Sequence, residues 1–298
     1  MEPVIIFDNG TCDLKAGLSN QEEPSVIIPN IVGRPLILSN KVENVELKPL
    51  MISEEVENIR SYLNLSCPMK NNHIIDENDI EIIWDYALTK KLGFNHGDLK
   101  DRRMLIVEKC YDYDNTKKIG EIIFEKFGLG FFNVEPQPRM VLFAYGRETG
   151  TVLDIGEEST NITPVCETYP IFSKTKRLDI GGRFITDYFI RLLQRKGYAL
   201  SPLVDSDFVQ CKALKEKYCF VSCDFESDVS LNFDTTYYNS NVKLPDGRKI
   251  IISNEKFEAP EILFKPEIVP EFGSINKSCG IHELLYESIN VIRYYIIL

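Results

Sequence analysis

The first apolar segment of the chain carries the clearest structural signal: Val4-Ile5-Ile6-Phe7-Asp8-Asn9-Gly10-Thr11-Cys12-Asp13-Leu14-Lys15-Ala16-Gly17. A β-branched run enters a predicted turn at Asp8-Asn9-Gly10, and a second short apolar segment leaves it. Asn-Gly between two strand-like segments is a strong hairpin signal, because both residues accept a positive φ at little cost. The stretch therefore predicts an N-terminal β-hairpin.

The polar residues of this hairpin are suited to binding a phosphate. Successive backbone N–H groups in a turn can surround an anion. Thr11 adds a hydroxyl donor, Lys15 adds a positive charge, and Asp8 adds a carboxylate that can hold hydrated Mg²⁺. We interpret the hairpin as one half of a phosphate-binding site, with an ordinary structural hairpin as the alternative.

The same pattern returns about half a chain later, in Gly150-Thr151-Val152-Leu153-Asp154-Ile155-Gly156-Glu157-Glu158-Ser159-Thr160-Asn161-Ile162. An apolar strand again reaches an aspartate, Asp154, and a glycine follows two residues later at Gly156. Two such turns in comparable contexts predict duplicated domains that face each other across a cleft. That cleft would hold a phosphate chain and its metal ion.

Length and composition limit the possible functions. A chain of 298 residues, 44% of them hydrophobic and 27% charged, is expected to form two globular domains. Its formal net charge of −11 argues against a nucleic-acid partner, because nucleic-acid binding needs clustered positive charge. The acidic balance instead fits protein partners or metal-bound nucleotides.

The cysteines and apolar runs indicate an intracellular protein without a membrane span. The eight cysteines form no C-x-x-C pair, which argues against a structural zinc site. No signal sequence precedes the first strand, so we expect a reducing cytosolic or nuclear compartment. No apolar run approaches the roughly 18 residues that a membrane-spanning helix needs.

The remaining pattern alternates strands and helices, which predicts an α/β fold. We expect a strand at residues 25–29, a turn at 31–35 and a helical piece with Ser53 as its N-cap. An amphipathic helix is predicted over residues 79–92, and residues 257–266 are predicted to be a loop-rich connection.

A second glycine motif precedes a helix in the later half of the chain. Gly181 and Gly182 would let the backbone approach a ligand closely, and the N-terminus of the following helix would favour an anion. The next predicted helix, over residues 208–221, carries Lys212, Lys215 and Glu216.

Taken together, these stretches resemble the actin superfamily from residue 4 to about residue 289. The motifs that carry the resemblance occur in family order: Asp8-Asn9-Gly10-Thr11, Ile31-Val32-Gly33-Arg34-Pro35, Asp154-x-Gly156, Leu178-Asp179-Ile180-Gly181-Gly182-Arg183, Lys215-Glu216-Lys217 and Leu244-Pro245-Asp246-Gly247-Arg248. Within the superfamily, the chain is most similar to an actin-related subunit of the seven-member complex that nucleates branched actin filaments.

The resemblance implies two RNase-H-like domains that flank a nucleotide cleft binding Mg-ATP. The first domain would span residues 1–146, with a small inserted subdomain at about 36–70, and the second, incomplete domain would span 147–298. The family continues through elements that the sequence lacks, so we expect a C-terminally truncated gene product. Actin and the other subunits of the nucleation complex are the implied partners.

The family's site residues carry over position by position. Asp8 and Asp154 would orient metal-bound waters, and Gln137 would orient the attacking water. The residues implied to contact the nucleotide are Gly10, Thr11, Cys12, Lys15, Asp154, Gly156, Glu157, Gly181, Gly182, Lys212, Lys215 and Glu216. Any ATP hydrolysis is expected to be slow and regulatory.

Three departures from the family pattern keep other functions open. Cys12 replaces a glycine, which would crowd the β-phosphate or demand an unfavourable φ. Glu157-Glu158 replaces Asp-Gly, and Gln137 lies between two prolines. The alternatives are a nucleotide-free actin-like scaffold, a conventional actin-like filament protein and, with no sugar-site motif in its favour, a sugar kinase of the same fold.

Overall fold

The computed structural model describes residues 2–36, 41–42, 45–109, 112–269 and 279–297. The chain divides into two compact units. The first comprises Met1–Val152 and Thr163–Ser173, and the second comprises Leu153–Ile162 and Lys174–Leu298. The predicted division between residues 146 and 147 stays a prediction. Part of the predicted insertion, residues 37–40 and 43–44, lies outside the described residues.

Among the described residues, the first unit includes the following strands: β1 Ile5–Asn9, β2 Asp13–Leu18, β3 Val26–Pro29, β4 Val32–Pro35, β5 Lys41–Val42, β6 Val45–Glu46, β7 Met51–Ile52, β8 Leu63–Ser66, β9 Met69–Lys70, β10 His73–Ile74, β11 Arg103–Glu108 and β12 Phe131–Pro136. Its α-helices are α1 Glu77–Asp85, α2 Tyr113–Glu121 and α3 Gln137–Ala144. The first two helices continue as π-helical turns, Tyr86–Lys91 and Ile122–Lys126.

A five-stranded sheet in the order β12-β11-β1-β2-β3 organises this unit. The strands β12, β11 and β1 run parallel, whereas β2 is antiparallel to both β1 and β3. Alternating residues of β1, Ile5 and Phe7, are fully buried beside Trp84 of α1. This burial explains why the apolar run of the N-terminal stretch forms a central strand.

A second, smaller sheet in the order β7-β4-β8 corrects two sequence predictions. The predicted turn at residues 31–35 is wrong, because Val32–Pro35 forms a strand that pairs with β7 and β8. Ser53 is not an N-cap, since its φ is +51° and its hydroxyl donates to the carbonyl of Pro29. Ser53 instead begins the 3₁₀ segment Ser53–Tyr62, whose Val56 and Ile59 are buried.

The strands β13 Gly150–Ile155 and β14 Thr160–Cys166 each begin in one unit and end in the other. In the first unit, the end of β14 pairs with β15 Tyr169–Pro170. In the second unit, the start of β14 pairs with β16 Lys176–Leu178.

In the described part of the second unit, the following elements come after β16: α4 Gly182–Arg195, α5 Asp205–Tyr218, α6 Phe225–Asp234, β17 Ser240–Lys243, β18 Lys249–Ile252, α7 Glu255–Glu261 and α8 Ile281–Ile297. Its core is built by α4, whose Tyr188, Phe189 and Leu193 are buried. The predicted loop-rich connection is partly wrong, because α7 occupies its first half and buries Phe257 and Ala259. None of the described helices is both long and apolar enough to cross a membrane.

Candidate functional site

The loop between β1 and β2 is a tight two-residue turn. The N–H of Gly10 donates to the carbonyl of Asp13 at 3.1 Å, which leaves Thr11 and Cys12 as the loop. The predicted turn at Asp8-Asn9-Gly10 is wrong, because Asp8 and Asn9 remain in β1. Glycine is required at position 10 because the Asp13 carbonyl oxygen lies so close that an added Cβ would be 2.8 Å from it. The φ of Gly10 is not positive, so backbone conformation is not the reason.

Cys12 does not adopt the unfavourable φ that its replacement of a glycine led us to expect. Its carbonyl accepts a hydrogen bond from the backbone N–H of Asn30 at 2.8 Å. The Asn30 side chain donates from Nδ2 to the carbonyl of Gly10 at 2.5 Å and to Oδ1 of Asn9 at 3.3 Å. No local pattern indicated a role for Asn30, because it lies eighteen positions beyond the loop that it binds.

The Thr11 hydroxyl contacts the tip of the β9–β10 hairpin. It donates to Oδ1 of Asn72 at 3.2 Å and accepts from the N–H of Asn72 at 3.3 Å. Asn71 and Asn72 both have positive φ values, +50° and +68°, as a two-residue hairpin turn of mirror-image type requires. The first loop is therefore held by side chains from two other segments.

Asp8 and Gln137 lie at the same edge of the five-stranded sheet. Asp8 pairs with Val107 of β11, and Val107 pairs with Glu135 of β12. The carboxyl ends of parallel strands share an edge of the sheet. Gln137, the first residue of α3, follows β12 at this edge, and β1 ends there one residue after Asp8. Lys15 of β2 lies beside Asp8, with 3.7 Å between its ammonium nitrogen and the carboxylate.

Glu108 is a buried carboxyl at this edge that the sequence predictions missed. It ends β11 and accepts hydrogen bonds from the Asn115 side chain at 2.6 Å and from the Thr116 hydroxyl at 3.1 Å. Burial raises the pKa of Glu108, and the two hydrogen bonds oppose that shift. The only signal in the sequence is a carboxylate that directly follows an apolar strand.

The loop between β13 and β14 repeats the turn of the first loop. The N–H of Gly156 donates to the carbonyl of Ser159 at 3.0 Å, which leaves Glu157 and Glu158 as the loop. The carbonyl of Gly156 accepts from the N–H of Gly182 at 2.8 Å, and the carbonyl of Glu157 accepts from the N–H of Arg183 at 2.8 Å. The first turn of α4 is thus joined directly to this loop.

These contacts give Gly181 and Gly182 a structural role beside the predicted one. A Cβ at Gly181 would lie 2.5 Å from the Gly156 carbonyl oxygen and 2.6 Å from that of Glu157. We expected the glycines to let a ligand approach the backbone, and what approaches the backbone of Gly181 is the loop itself. Two N–H groups of the first turn of α4 are also used by that loop.

Two lysines of α5 lie beside the second loop. Lys212 Nζ is 3.5 Å from the carboxylate of Glu157, and Lys215 Nζ donates to the carbonyl of Gly182 at 2.9 Å. Burial lowers the pKa of Lys215, and the nearby Glu157 carboxylate opposes that shift. Glu216 is exposed on the same helix. The second unit therefore brings together Glu157, Gly181, Gly182, Lys212 and Lys215.

Asp154 lies on β13, two residues before the second loop begins at Gly156. That Asp8 and Asp154 face one phosphate chain stays a prediction. In the part of the chain that the structure describes, no three or more His, Cys, Asp or Glu side chains are grouped closely enough to hold a metal ion alone.

The comparisons with known proteins agree with this architecture. Residues 1–296 match the actin family, so the chain belongs to that family and its α/β fold is the actin fold. This confirms the fold class that the sequence predicted.

The chain is similar to three proteins that are named Actin-related protein 2. The identity is 36% with the protein of Acanthamoeba castellanii, 36% with that of Saccharomyces cerevisiae and 37% with that of Schizosaccharomyces pombe. Each alignment covers 96% of the chain and 71–72% of the relative.

Proposed function

We propose that this chain is an actin-related subunit of a complex that nucleates branched actin filaments, and that it binds Mg-ATP through the two hairpin loops. The observation that carries the proposal is the repeated turn. Each loop begins with a glycine whose N–H donates a hydrogen bond to the backbone carbonyl of the residue three positions later. The similarity to proteins named Actin-related protein 2 supports the choice of complex.

The residues around the loops fit a magnesium-bound polyphosphate. Lys15 and Lys212 lie beside the first and second loop respectively and supply positive charge. The half-buried ammonium of Lys215 donates to the Gly182 carbonyl and retains further N–H donors for phosphate or ribose oxygens. Asp8 and Asp154 would hold Mg²⁺ through water, and the bound ion would neutralise part of the phosphate charge.

In this proposal the remaining residues bind and orient rather than react. Gly10, Thr11, Cys12, Gly156 and Glu157 contribute loop contacts to the phosphates, while Gly181, Gly182 and Glu216 border the nucleoside. Gln137 orients a water molecule, which gives a slow, regulatory hydrolysis at most.

The function itself would be templating. A subunit of this kind presents an actin-like surface from which a daughter filament grows, and the bound nucleotide biases the conformation that partners recognise. Actin and the other subunits of the nucleation complex are the proposed partners, in the cytoplasmic cytoskeleton or, as an alternative location, the nucleus.

A nucleotide-free actin-like scaffold is the second candidate. The observation that favours it is the carboxylate of Glu157, which lies 3.5 Å from Lys212 and already partners a cation that a phosphate would need. A second loop carboxylate, Glu158, adds further negative charge beside any polyanion.

Binding of labelled ATP distinguishes the two candidates. We expect the purified chain to bind ATP in the presence of Mg²⁺ and expect the Lys212→Met/Lys215→Met variant to bind it far more weakly. The matched control is Lys90→Met/Lys117→Met, which removes the same charge from exposed helical positions of the first unit. Absence of ATP binding by the wild-type chain would favour the nucleotide-free scaffold.

Co-purification tests the choice of complex. The tagged chain, expressed in its source cells, should recover actin and the other subunits of an actin-nucleation complex. Recovery of the chain without those subunits would reject this part of the proposal, whatever the result with ATP.

A further inference from the structure

We propose that Asn30 is the positioning residue of the first loop, holding it in the conformation that receives a polyphosphate. This inference rests on the proposed function, because it assumes that the β1–β2 loop binds phosphate. Asn30 follows β3 and belongs to neither strand of the hairpin.

Asn30 forms hydrogen bonds at both ends of the loop. The backbone N–H of Asn30 binds the carbonyl of Cys12 at 2.8 Å, at the end of the loop. Its side-chain Nδ2 binds the carbonyl of Gly10 at 2.5 Å, at the start of the loop. The same Nδ2 lies 3.3 Å from Oδ1 of Asn9, which also accepts from the indole N–H of Trp84 at 3.4 Å.

The direction of these bonds matters for an anion. A loop that binds phosphate presents N–H groups to it, and a carbonyl oxygen that faced the phosphate would repel it. Asn30 engages the carbonyls of Gly10 and Cys12, so the negative ends of these two peptide dipoles are directed at Asn30. These two hydrogen bonds fix the orientation of two peptide planes, and those planes determine where the loop directs its N–H groups.

The burial of Asn30 indicates that its donor group is what the position requires. The residue is 1% exposed, and within the described residues its Oδ1 is buried without a hydrogen-bond partner. A buried acceptor without a partner lowers stability, and an apolar side chain of similar size would avoid that cost. An amide at this position is explained by the bonds that its Nδ2 donates.

The test compares Asn30→Leu, which keeps the number and branching of the side-chain heavy atoms but removes the amide donor, with a matched control. Ser53→Ala is that control, because buried Ser53 binds the same segment through the carbonyls of Pro29 and Ile31. Dissociation constants for Mg-ATP and for adenosine are measured for each variant, together with its Tm. Adenosine lacks phosphates and therefore reports on the rest of the nucleotide site.

We expect Asn30→Leu to weaken Mg-ATP binding roughly tenfold, because it removes the two hydrogen bonds that Nδ2 donates to Gly10 and Asn9 and keeps only the backbone bond to Cys12. Adenosine binding should change less than about twofold. Ser53→Ala should lower the Tm and leave both affinities unchanged. Asn30→Ser, which keeps a shorter donor, should weaken Mg-ATP binding roughly threefold and serves if the leucine variant does not fold.

The outcomes separate the inference from the proposed function. Unchanged Mg-ATP affinity in the Asn30 variants would overturn the inference alone. Equal losses for Mg-ATP and adenosine, or an equal loss in Ser53→Ala, would show a general distortion and would overturn it as well. Failure of the wild-type chain to bind Mg-ATP would overturn the proposed nucleotide site and, with it, this inference.

Discussion

The two hairpin loops have the same turn but different supports. Gly10 and Gly156 each donate an N–H to the residue three positions later, at 3.1 and 3.0 Å. The carbonyl of Gly10 is bound by a side chain, the amide of Asn30, whereas the carbonyl of Gly156 is bound by the backbone N–H of Gly182. The same turn is therefore stabilised by a side-chain donor at Gly10 and by a backbone donor at Gly156.

The type of support determines which substitutions each loop can tolerate. A loop held by side chains depends on the chemical identity of residues such as Asn30 and Asn72, and substitutions there alter it in small steps. A loop held by backbone contacts accepts almost any side chain, as Glu157 and Glu158 illustrate, but it depends on the absence of a Cβ at Gly181. Four predictions test this contrast.

The largest effect is expected for Gly181→Ala. The new Cβ would lie 2.5 and 2.6 Å from two carbonyl oxygens, so the loop and α4 must separate. We expect a loss of roughly 3 kcal/mol or more in the free energy of unfolding, measured by chemical denaturation. The control is Gly97→Ala, whose Cβ would meet nothing within 4 Å and should change stability by less than about 0.5 kcal/mol.

Thr160→Val tests the residue at which β14 leaves the second loop. Its buried hydroxyl donates to the carbonyl of Ile180 at 2.7 Å, and valine would leave that carbonyl without this partner. We expect a loss of about 1–3 kcal/mol in thermal or chemical denaturation. Thr151→Val is the matched control: its buried hydroxyl has no hydrogen-bond partner among the described residues, so its replacement should be neutral or stabilising. Equal losses in the two variants would contradict this account.

Thr11→Val examines the side-chain support of the first loop. It removes both hydrogen bonds between the Thr11 hydroxyl and Asn72 at a partly buried position, and we expect a loss of about 1 kcal/mol. Thr89→Val removes only a hydroxyl bond to the preceding turn of its own helix, at Asp85, and should cost less than about 0.5 kcal/mol. If both variants lose the same stability, the contact with Asn72 does not support the loop.

The smallest effect is a pH dependence at Lys215. Burial lowers the pKa of this lysine in the folded state below its ordinary value of 10.5, so above neutral pH the unfolded chain binds more protons. Stability should therefore rise as the pH increases from the lowered pKa towards 10.5. The difference in unfolding free energy between wild type and Lys215→Met should grow over that interval, and a constant difference would refute the assignment.

Much of the fold could be predicted because its signals are local. The β-branched run at Ile5 and Ile6 predicted β1, and the glycine motif at Gly181 and Gly182 indicated the start of α4. Gly93 and Gly128, which lie just after the two π-helical turns, have positive φ values of +77° and +64°, a conformation that glycine adopts at little cost. In these segments, the residue types of the segment itself are sufficient to predict the secondary structure.

The errors arose where distant residues decide the structure. Residues 32–35 contain glycine and proline and suggested a turn, but their pairing with β7 and β8 makes them a strand. Pro260 suggested a loop, yet burial of Phe257 and Ala259 stabilises the helix α7 around it. Neither the strands that pair with residues 32–35 nor the residues that bury Phe257 and Ala259 can be identified from the local sequence.

In the candidate site too, local motifs were recognised from the sequence, whereas contacts between distant segments were missed. The glycines and lysines of the two loops were recognised as motifs, and the structure brings the members within each unit close together. Asn30 and Glu108 were missed because a buried polar residue leaves no periodic pattern. Their roles depend on hydrogen bonds to segments that are remote in sequence.

The geometry at Gly10 also bears on how the purified protein should age. Asn-Gly sequences deamidate when the glycine nitrogen attacks the side-chain carbonyl carbon of asparagine, which expels the amide nitrogen as ammonia and leaves a succinimide. Here the Gly10 nitrogen is hydrogen-bonded to Asp13, and the Asn9 amide is held by Met69, Trp84 and Asn30. Intact-mass measurements after storage should therefore show Asn9 preserved in the folded protein and converted when the protein is stored in denaturant.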